Sequence, residues 1–341
     1  MHEINRPLRI EKLIIPELKA GQVLVKVAYS GVCHSQLNEV RGLRGEDKFL
    51  PHTLGHEGSG IVEKIGAGVK KVKPGDHVVL TWIKGNGADM PSTLYRRDDS
   101  SIVNSGAIST FLTRAVISEN RLVKIPKEMP LREAALLGCG IPTGAGIVIN
   151  TAKVFSGNSI AIFGVGGVGL SALLAAKMRG VALIIAIDML DHKLERAIKF
   201  GATHIINAVK QDVLSSILRI TDGLGVDYAI ESAGKKESME NAFQSVHDDG
   251  GLCIIAGNLP QGEQISISPF DLIKGKRIIG TWGGETQPDR DIPIYVNLYL
   301  SGKLKLKELI THTSRLQNIN RAFDDLSNGK GARILIDMTG D

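Results

Sequence analysis

In SIAIFGVGGVGLSALLAAKMRG, residues 159–180, Gly164, Gly166 and Gly169 separate an apolar run from an Ala- and Leu-rich one. The spacing predicts a strand, a tight turn that Gly164 permits, room at Gly166 for a pyrophosphate to approach the backbone, and close helix–strand packing at Gly169. Gly167 and Val168 would open the helix, whose N-terminus offers unpaired amides to phosphate oxygens. The next apolar run, LIIAID, ends at Asp188, a carboxylate placed to accept hydrogen bonds from a ribose diol. A bare strand-to-helix turn would account for the glycines but not for Asp188. The constellation predicts dinucleotide binding. Because Asp188 would repel a 2′-phosphate, it predicts NAD, a preference that His192 and Lys193 weaken slightly.

A second set is chemically suited but harder to read. Cys33, His56 and Cys139 supply two thiols and an imidazole, side chains of types that can ligate zinc. They are too far apart for spacing alone to declare a metal site, and a buried cysteine more often packs as a small hydrophobe. Together with Cys253 they are the 3 cysteines of 341 residues. An odd number at wide spacing predicts reduced thiols and a cytoplasmic setting.

Two kinds of scaffold would have to position these residues. As far as about Asp76, the short runs VLVKVAYS, GSGIVEKIGAG and VKPGDHVVL alternate with Gly and Pro. Val23, Val25 and Val27 share one side of a strand and Lys26 takes the other, as in a half-buried antiparallel sheet, so this end predicts a small barrel or sandwich. Residues 84–107 are polar and turn-rich and read as a surface excursion without core, with Arg96, Arg97, Asp98 and Asp99 as a solvated turn. LREAALLGCGIPTGAGIVIN predicts a helix starting near Pro130 and helical turns around Gly144, with Cys139 between them. Beyond Asn158, short apolar strands alternate with helical patterns, which predicts a parallel sheet covered on both faces. The fold class expected is therefore α/β plus β, a doubly wound parallel sheet with a smaller β domain. Residues 282–341 hold too little apolar sequence for a third domain and are expected to complete the first.

Composition excludes other classes. The 41 basic and 36 acidic residues are interspersed and aromatics make up only 4%, so no basic stripe with stacking rings exists and nucleic-acid binding is not expected. MHEINRPLRIEKL carries charges where a signal peptide needs an apolar core, and no long charge-free apolar stretch follows, so no membrane partner is expected.

GVCHSQ, LGHEGSG, LLGCGIPTG and GVGGVG, in that order, resemble the zinc-dependent medium-chain alcohol dehydrogenase family from near the first residues to the final strand. The resemblance implies a GroES-like catalytic domain, residues 1–139, completed by 282–341. It implies a Rossmann NAD-binding domain over 140–281, with the active site where Cys139 meets the nicotinamide. Cys33, His56 and Cys139 would hold one catalytic zinc, with Glu57 as the carboxylate beside it. Ser35 would contact the substrate oxygen and begin a proton relay. His34 and Arg333 would reach the cofactor pyrophosphate, Thr143 the nicotinamide and Lys193 the adenosine ribose, while Trp82 and Trp282 would either line a pocket or pack.

Two positions depart from the family pattern. Asn38 stands where many members have the histidine that ends the relay, and an amide cannot take up a proton near neutral pH. Gln36 stands where many have an aspartate that orients the zinc-bound histidine, so that ring has less anionic support. No cysteine lies between residues 78 and 120, so the four-cysteine structural zinc of many relatives is not expected.

The implied activity is hydride transfer between a primary or secondary alcohol, or its carbonyl product, and NAD. The implied assembly is a homodimer or homotetramer joined through Rossmann sheet edges, for which GLCIIAGN and KRIIGTW are candidate strands. Two rivals differ in what they require. A zinc-free quinone or alkene reductase of the related branch would hold no metal and prefer NADPH. A non-catalytic nucleotide-binding or structural protein would bind NAD and oxidise no alcohol.

Overall fold

The alternation in QVLVKVAYSGV builds β1 (Gln22–Val32), with Val23, Val25 and Val27 buried and Lys26 exposed. It is the central strand of the first of two units in the computed structural model, which describes residues 1–340. That unit comprises Met1–Cys139 and the chain from Gln287 onward; the second is Gly140–Thr286. Residues 283–286 pack with the helix Gly140–Gly146, which is why the second junction falls at Gln287 rather than 282. Thr286 Oγ1 donates to the Pro142 carbonyl at 2.9 Å, and a Cβ on Gly284 would lie 2.4 Å from the Thr143 carbonyl.

In the first unit β2 (Glu57–Ile65), β3 (His77–Thr81), β4 (Leu94–Arg96), β5 (Ile102–Asn104), β6 (Arg114–Ser118) and β7 (Leu122–Ile125) follow β1. The second unit supplies β8 (Ser159–Phe163), β9 (Leu183–Asp188), β10 (His204–Asn207), β11 (Tyr228–Glu231), β12 (Leu252–Ile255) and β13 (Arg277–Gly280). The chain then returns with β14 (Ile310–Arg315) and β15 (Arg333–Asp337). Among the described residues, the first unit's main sheet has seven strands in the order β14-β15-β1-β2-β3-β7, with β6 also paired to β1. Val23, Val25 and Val27 pack there with Val78, Leu80, Ile117, Phe323 and Ile334 in one apolar cluster. β15 lies antiparallel to β1, so the last strand of the sequence sits beside the first.

Residues 84–107 do carry core, contrary to the reading of that stretch as bare surface. β4 and β5 pair as a two-stranded sheet, and Tyr95 and Val103 pack with Leu24 and Val116 in a satellite cluster. The sequence hides this because the strands are three residues each, too short to show a period. The charged run between them is only partly solvated, since Arg97 Nε pairs with Glu11 at 2.8 Å.

The second unit contains a six-stranded, all-parallel sheet in the order β10-β9-β8-β11-β12-β13. With its helices this is the doubly wound nucleotide-binding arrangement, whose order reverses between β8 and β11. Local chemistry explains the elements. SIAIF in β8 is almost wholly buried, and the helix Asp191–Phe200 buries Leu194, Ala197 and Phe200 on one face. That helix stops at Gly201, whose φ of 112° is left-handed. β12 is interior, between β11 and β13, so of the two strands taken as edges only β13 is one. Trp282, just after it, is 77% exposed and does not anchor a core. No single helix among the described residues is long and apolar enough to cross a membrane.

Candidate metal centre and dinucleotide loop

Strand pairing brings the distant donors together. Cys33 follows β1 and stands at the N-cap of the helix His34–Val40, while His56 immediately precedes β2. β1 and β2 are antiparallel, with Ser30 opposite Gly58, so the end of one meets the start of the other. Cys139 ends the helical turn Ala135–Gly138, which packs so closely that a Cβ on Gly138 would lie 2.3 Å from the Leu80 carbonyl. One ligand atom from each of Cys33, His56, Glu57 and Cys139 lies within 4.8 Å of the others.

The chemistry of this set fits a zinc ion. His56 Nε2 is buried with no hydrogen-bond partner of good geometry, which leaves a lone pair to be satisfied. Two thiolates and the Glu57 carboxylate would carry three negative charges, matched by Arg333 and a divalent ion. The hydrogen bond with Cys139 is the largest influence lowering the Cys33 thiol well below the ordinary range, with His56 and Arg333 adding to it against burial. The same contact, with burial, pushes Cys139 well above that range. Burial opposes a charged His56, yet its interactions with Cys33 and Glu57 raise it above the ordinary imidazole value.

Arg333, expected at the pyrophosphate, lies beside the metal cluster. It begins β15, is 4% exposed, and its Nη2 donates to Oε1 of the fully buried Glu57. Burial works against its charge, but Glu57 and Cys33 raise its pKa further. Gly31 makes room for the pair, since a Cβ there would lie 2.5 Å from Glu57 Oε1.

Ser35 Oγ donates to Cys33 Sγ at 3.4 Å, within reach of the metal position. His34 is exposed and Asn38 half-buried on the same short helix. Gln36 is buried, and its Oε1 has no hydrogen-bond partner, so the amide is not seen supporting His56.

Gly164 and Gly169 have the backbone and packing roles their spacing suggests. Gly164 adopts a φ of 84°, and a Cβ on Gly169 would lie 2.0 Å from the Gly164 carbonyl. Gly166 differs, because a Cβ there would meet no protein atom within 4 Å and its φ is an unstrained −78°. The protein's own packing therefore does not require a glycine at 166. Gly167 and Val168 begin the helix Gly167–Met178.

Asp188 ends β9 and accepts from the Val165, Met189 and Leu190 amides at 3.0, 2.8 and 3.2 Å. Lys193 Nζ stands 3.8 Å from it. In the same unit Thr143 is buried with an unpartnered Oγ1. Glu231, which sequence reasoning did not single out, ends β11 and accepts from the Ala233 and Gly234 amides and Ser238 Oγ at 2.9, 2.8 and 2.6 Å. Burial raises its pKa. The turn it holds packs on the loop, where a Cβ on Gly164 would lie 2.8 Å from the Ala233 nitrogen. Its one legible signal was an acid ending an otherwise apolar strand.

Comparison with known proteins finds similar chains among dehydrogenases. Residues 19–127 match the family described as alcohol dehydrogenase GroES-like domain, and residues 167–301 the one described as zinc-binding dehydrogenase. A probable S-(hydroxymethyl)glutathione dehydrogenase of Schizosaccharomyces pombe is 37% identical over 98% of this chain and 94% of its own length. Among solved structures, an alcohol dehydrogenase zinc-binding domain protein from Burkholderia ambifaria superposes with a TM-score of 0.90 at 34% identity, covering 98% of this chain and 96% of that one. Benzyl alcohol dehydrogenase from Acinetobacter calcoaceticus gives 0.86 at 34% identity, covering 95% and 94%.

Proposed function

Because the chain belongs to the zinc-dependent medium-chain alcohol dehydrogenases, and is an NAD-dependent oxidoreductase with one catalytic zinc per subunit, we propose that its substrate is a primary alcohol or the matching aldehyde. The relatives named for S-(hydroxymethyl)glutathione and for benzyl alcohol share a CH₂OH carbon as the hydride donor. The observation that carries the reading is the meeting of Cys33, His56 and Cys139 around an unsatisfied imidazole nitrogen.

In this reading Cys33, His56 and Cys139 hold the ion and Glu57, paired with Arg333, balances its charge. When bound, zinc supplies Lewis acidity to the alcohol oxygen and NAD the hydride acceptor. Ser35 Oγ can accept the substrate hydroxyl proton and donate its own onward. Asn38 can pass a hydrogen bond but hold no proton, so the proton leaves through water. Gly164, Gly166, Gly167, Val168 and Gly169, with His34, would receive the pyrophosphate; Asp188 and Lys193 would take the adenosine ribose, and Thr143 would offer its hydroxyl to the nicotinamide.

The unpaired thiols of Cys33, Cys139 and Cys253 suit a cytoplasmic setting. The open edge β13, with Ile279 exposed, suits pairing with a second copy in a homodimer or homotetramer. The test is metal analysis with an NAD⁺ reduction screen over aliphatic, aromatic and polyol alcohols and S-(hydroxymethyl)glutathione. C33A is expected to lose zinc and turnover while still binding NAD. Turnover by metal-free C33A, or reduction of NAD⁺ by secondary alcohols alone, would overturn the reading.

A further inference from the structure

The second unit buries a carboxylate that neither hydride transfer nor metal binding uses. Glu231 is fully buried at the carboxyl end of β11, in register with Phe163 of β8 on one side and Ile255 of β12 on the other. The strand order reverses between β8 and β11, and in sheets of this kind a ligand lies in the crevice outside the strand ends at that point.

Hydrogen bonds link the ends of these three strands. Glu231 Oε1 accepts from the Ala233 and Gly234 amides at 2.9 and 2.8 Å and from Ser238 Oγ at 2.6 Å. The Glu231 carbonyl accepts from the Ala256 and Gly257 amides at 2.8 and 3.1 Å, which fastens the turn after β12. Ser232 then reaches the glycine loop: its amide donates to the Phe163 carbonyl at 2.9 Å and its Oγ to the Gly164 carbonyl at 2.7 Å. Ala233 packs on the same loop, since a Cβ on Gly164 would lie 2.8 Å from its nitrogen and 2.9 Å from its Cβ. The carboxylate, the turn 232–235 and the loop thus form one packed chain, in which a shift of the turn displaces Gly164.

The second carboxylate oxygen shows that this arrangement carries a cost. Oε2 is buried with no hydrogen-bond partner, and Gly257 walls it in, because a Cβ there would lie 2.4 Å from it. Burial works against a charge at this place. A serine or asparagine can close a turn without burying an acid, and unsatisfied buried atoms are retained chiefly where function needs them.

We propose, on the reading that the glycine loop receives the pyrophosphate, that Glu231 is a positioning residue for the dinucleotide: by clamping the turn 232–235 it holds Gly164 at its φ of 84° and keeps the loop preformed. A cofactor that has to order the loop for itself loses that free energy from its affinity. Glu231 acts through Ser232 and Ala233. The metal donors Cys33, His56 and Cys139 belong to the other unit, so the effect falls on cofactor binding rather than on the chemical step.

The test uses the zinc-loaded full chain, with NAD⁺ titrated by calorimetry and kinetics measured on the alcohol that gives the fastest wild-type turnover. E231A is expected to raise Kd and KM for NAD⁺ about 10-fold, roughly the worth of one hydrogen bond, with kcat at saturating NAD⁺ within about twofold of wild type. E231Q keeps the length and an acceptor at Oε1, and is expected to return Kd to within about threefold of wild type. If E231A does not fold, S238A, which removes one donor from a half-buried position on the helix Lys236–Ser245, takes its place and is expected to raise Kd about threefold. G166A in the same titrations tells two failures apart. If G166A leaves NAD⁺ binding unchanged, the loop is not the pyrophosphate site and both readings fall. If G166A weakens binding while E231A and S238A do not, the positioning role alone falls. E231Q binding no tighter than E231A, or kcat falling with KM unchanged, would also overturn it.

Discussion

Replacing Gly166 by alanine separates what the fold needs from what the ligand needs. The added methyl meets no protein atom within 4 Å, and the backbone φ of −78° suits any residue. Apo stability should therefore change by less than about 0.5 kcal/mol, apart from a gain of up to about 1 kcal/mol from a stiffer unfolded chain. The same methyl would fill the space that the proposed function gives to a phosphate above the loop. Losing one charged hydrogen bond there costs roughly 1.5–3 kcal/mol, which raises the NAD Kd about 10- to 150-fold.

G169A is the control, because its Cβ would lie 2.0 Å from the Gly164 carbonyl and should cost roughly 1–3 kcal/mol of apo stability through overpacking. Urea unfolding without ligand and calorimetric titration with NAD read the two quantities. If G166A destabilises the apo protein by more than about 1 kcal/mol, or binds NAD as the wild type does, the assignment of that glycine to the ligand is wrong.

Three further outcomes test other parts of the structure. R333M leaves the Glu57 charge buried without its guanidinium, so urea unfolding should show a loss of roughly 3–5 kcal/mol that R333M/E57Q partly restores; a loss under about 1 kcal/mol would count against the pair. Y95F deprives the buried Val116 amide of its acceptor and should cost about 1–3 kcal/mol. Burial pushes the Tyr95 phenol from 10.0 up to about 12, so its stabilisation is complete below pH 10 and lost as pH rises through about 12; wild type should lose ground to Y95F over that window. D188N removes a charge but not the side chain's bulk, and should shift the ratio of NADP to NAD affinity upward by roughly tenfold, as read by paired titrations.

How much was legible depended on how local the signal was. The glycine loop, Asp188 and the alternating strands and helices are local patterns, and the chain could be read there without partners. The metal cluster is non-local: nothing in the numbers 33, 56 and 139 says that β1 and β2 pair so as to join their ends, and only the family resemblance joined the three. The pairing of Arg333 with Glu57 was hidden for the same reason, because an arginine opening a strand carries no mark of the carboxylate it will meet across a sheet. Tyr95 and Val103 were hidden by the brevity of their strands, and strand order made β12 interior where it had been a candidate edge.

The position of β15 between β14 and β1 has a consequence for how the enzyme is made. The ribosome releases Cys33, His56 and Cys139 long before Arg333, with the whole of Gly140–Thr286 in between. A chain still being synthesised therefore carries the three donors and the Glu57 carboxylate without the guanidinium that neutralises it, while the nucleotide-binding unit is already free to fold. Maturation of the zinc pocket is thus a late event, and products cut short before the final strand would expose an unfinished sheet to the cell's proteases.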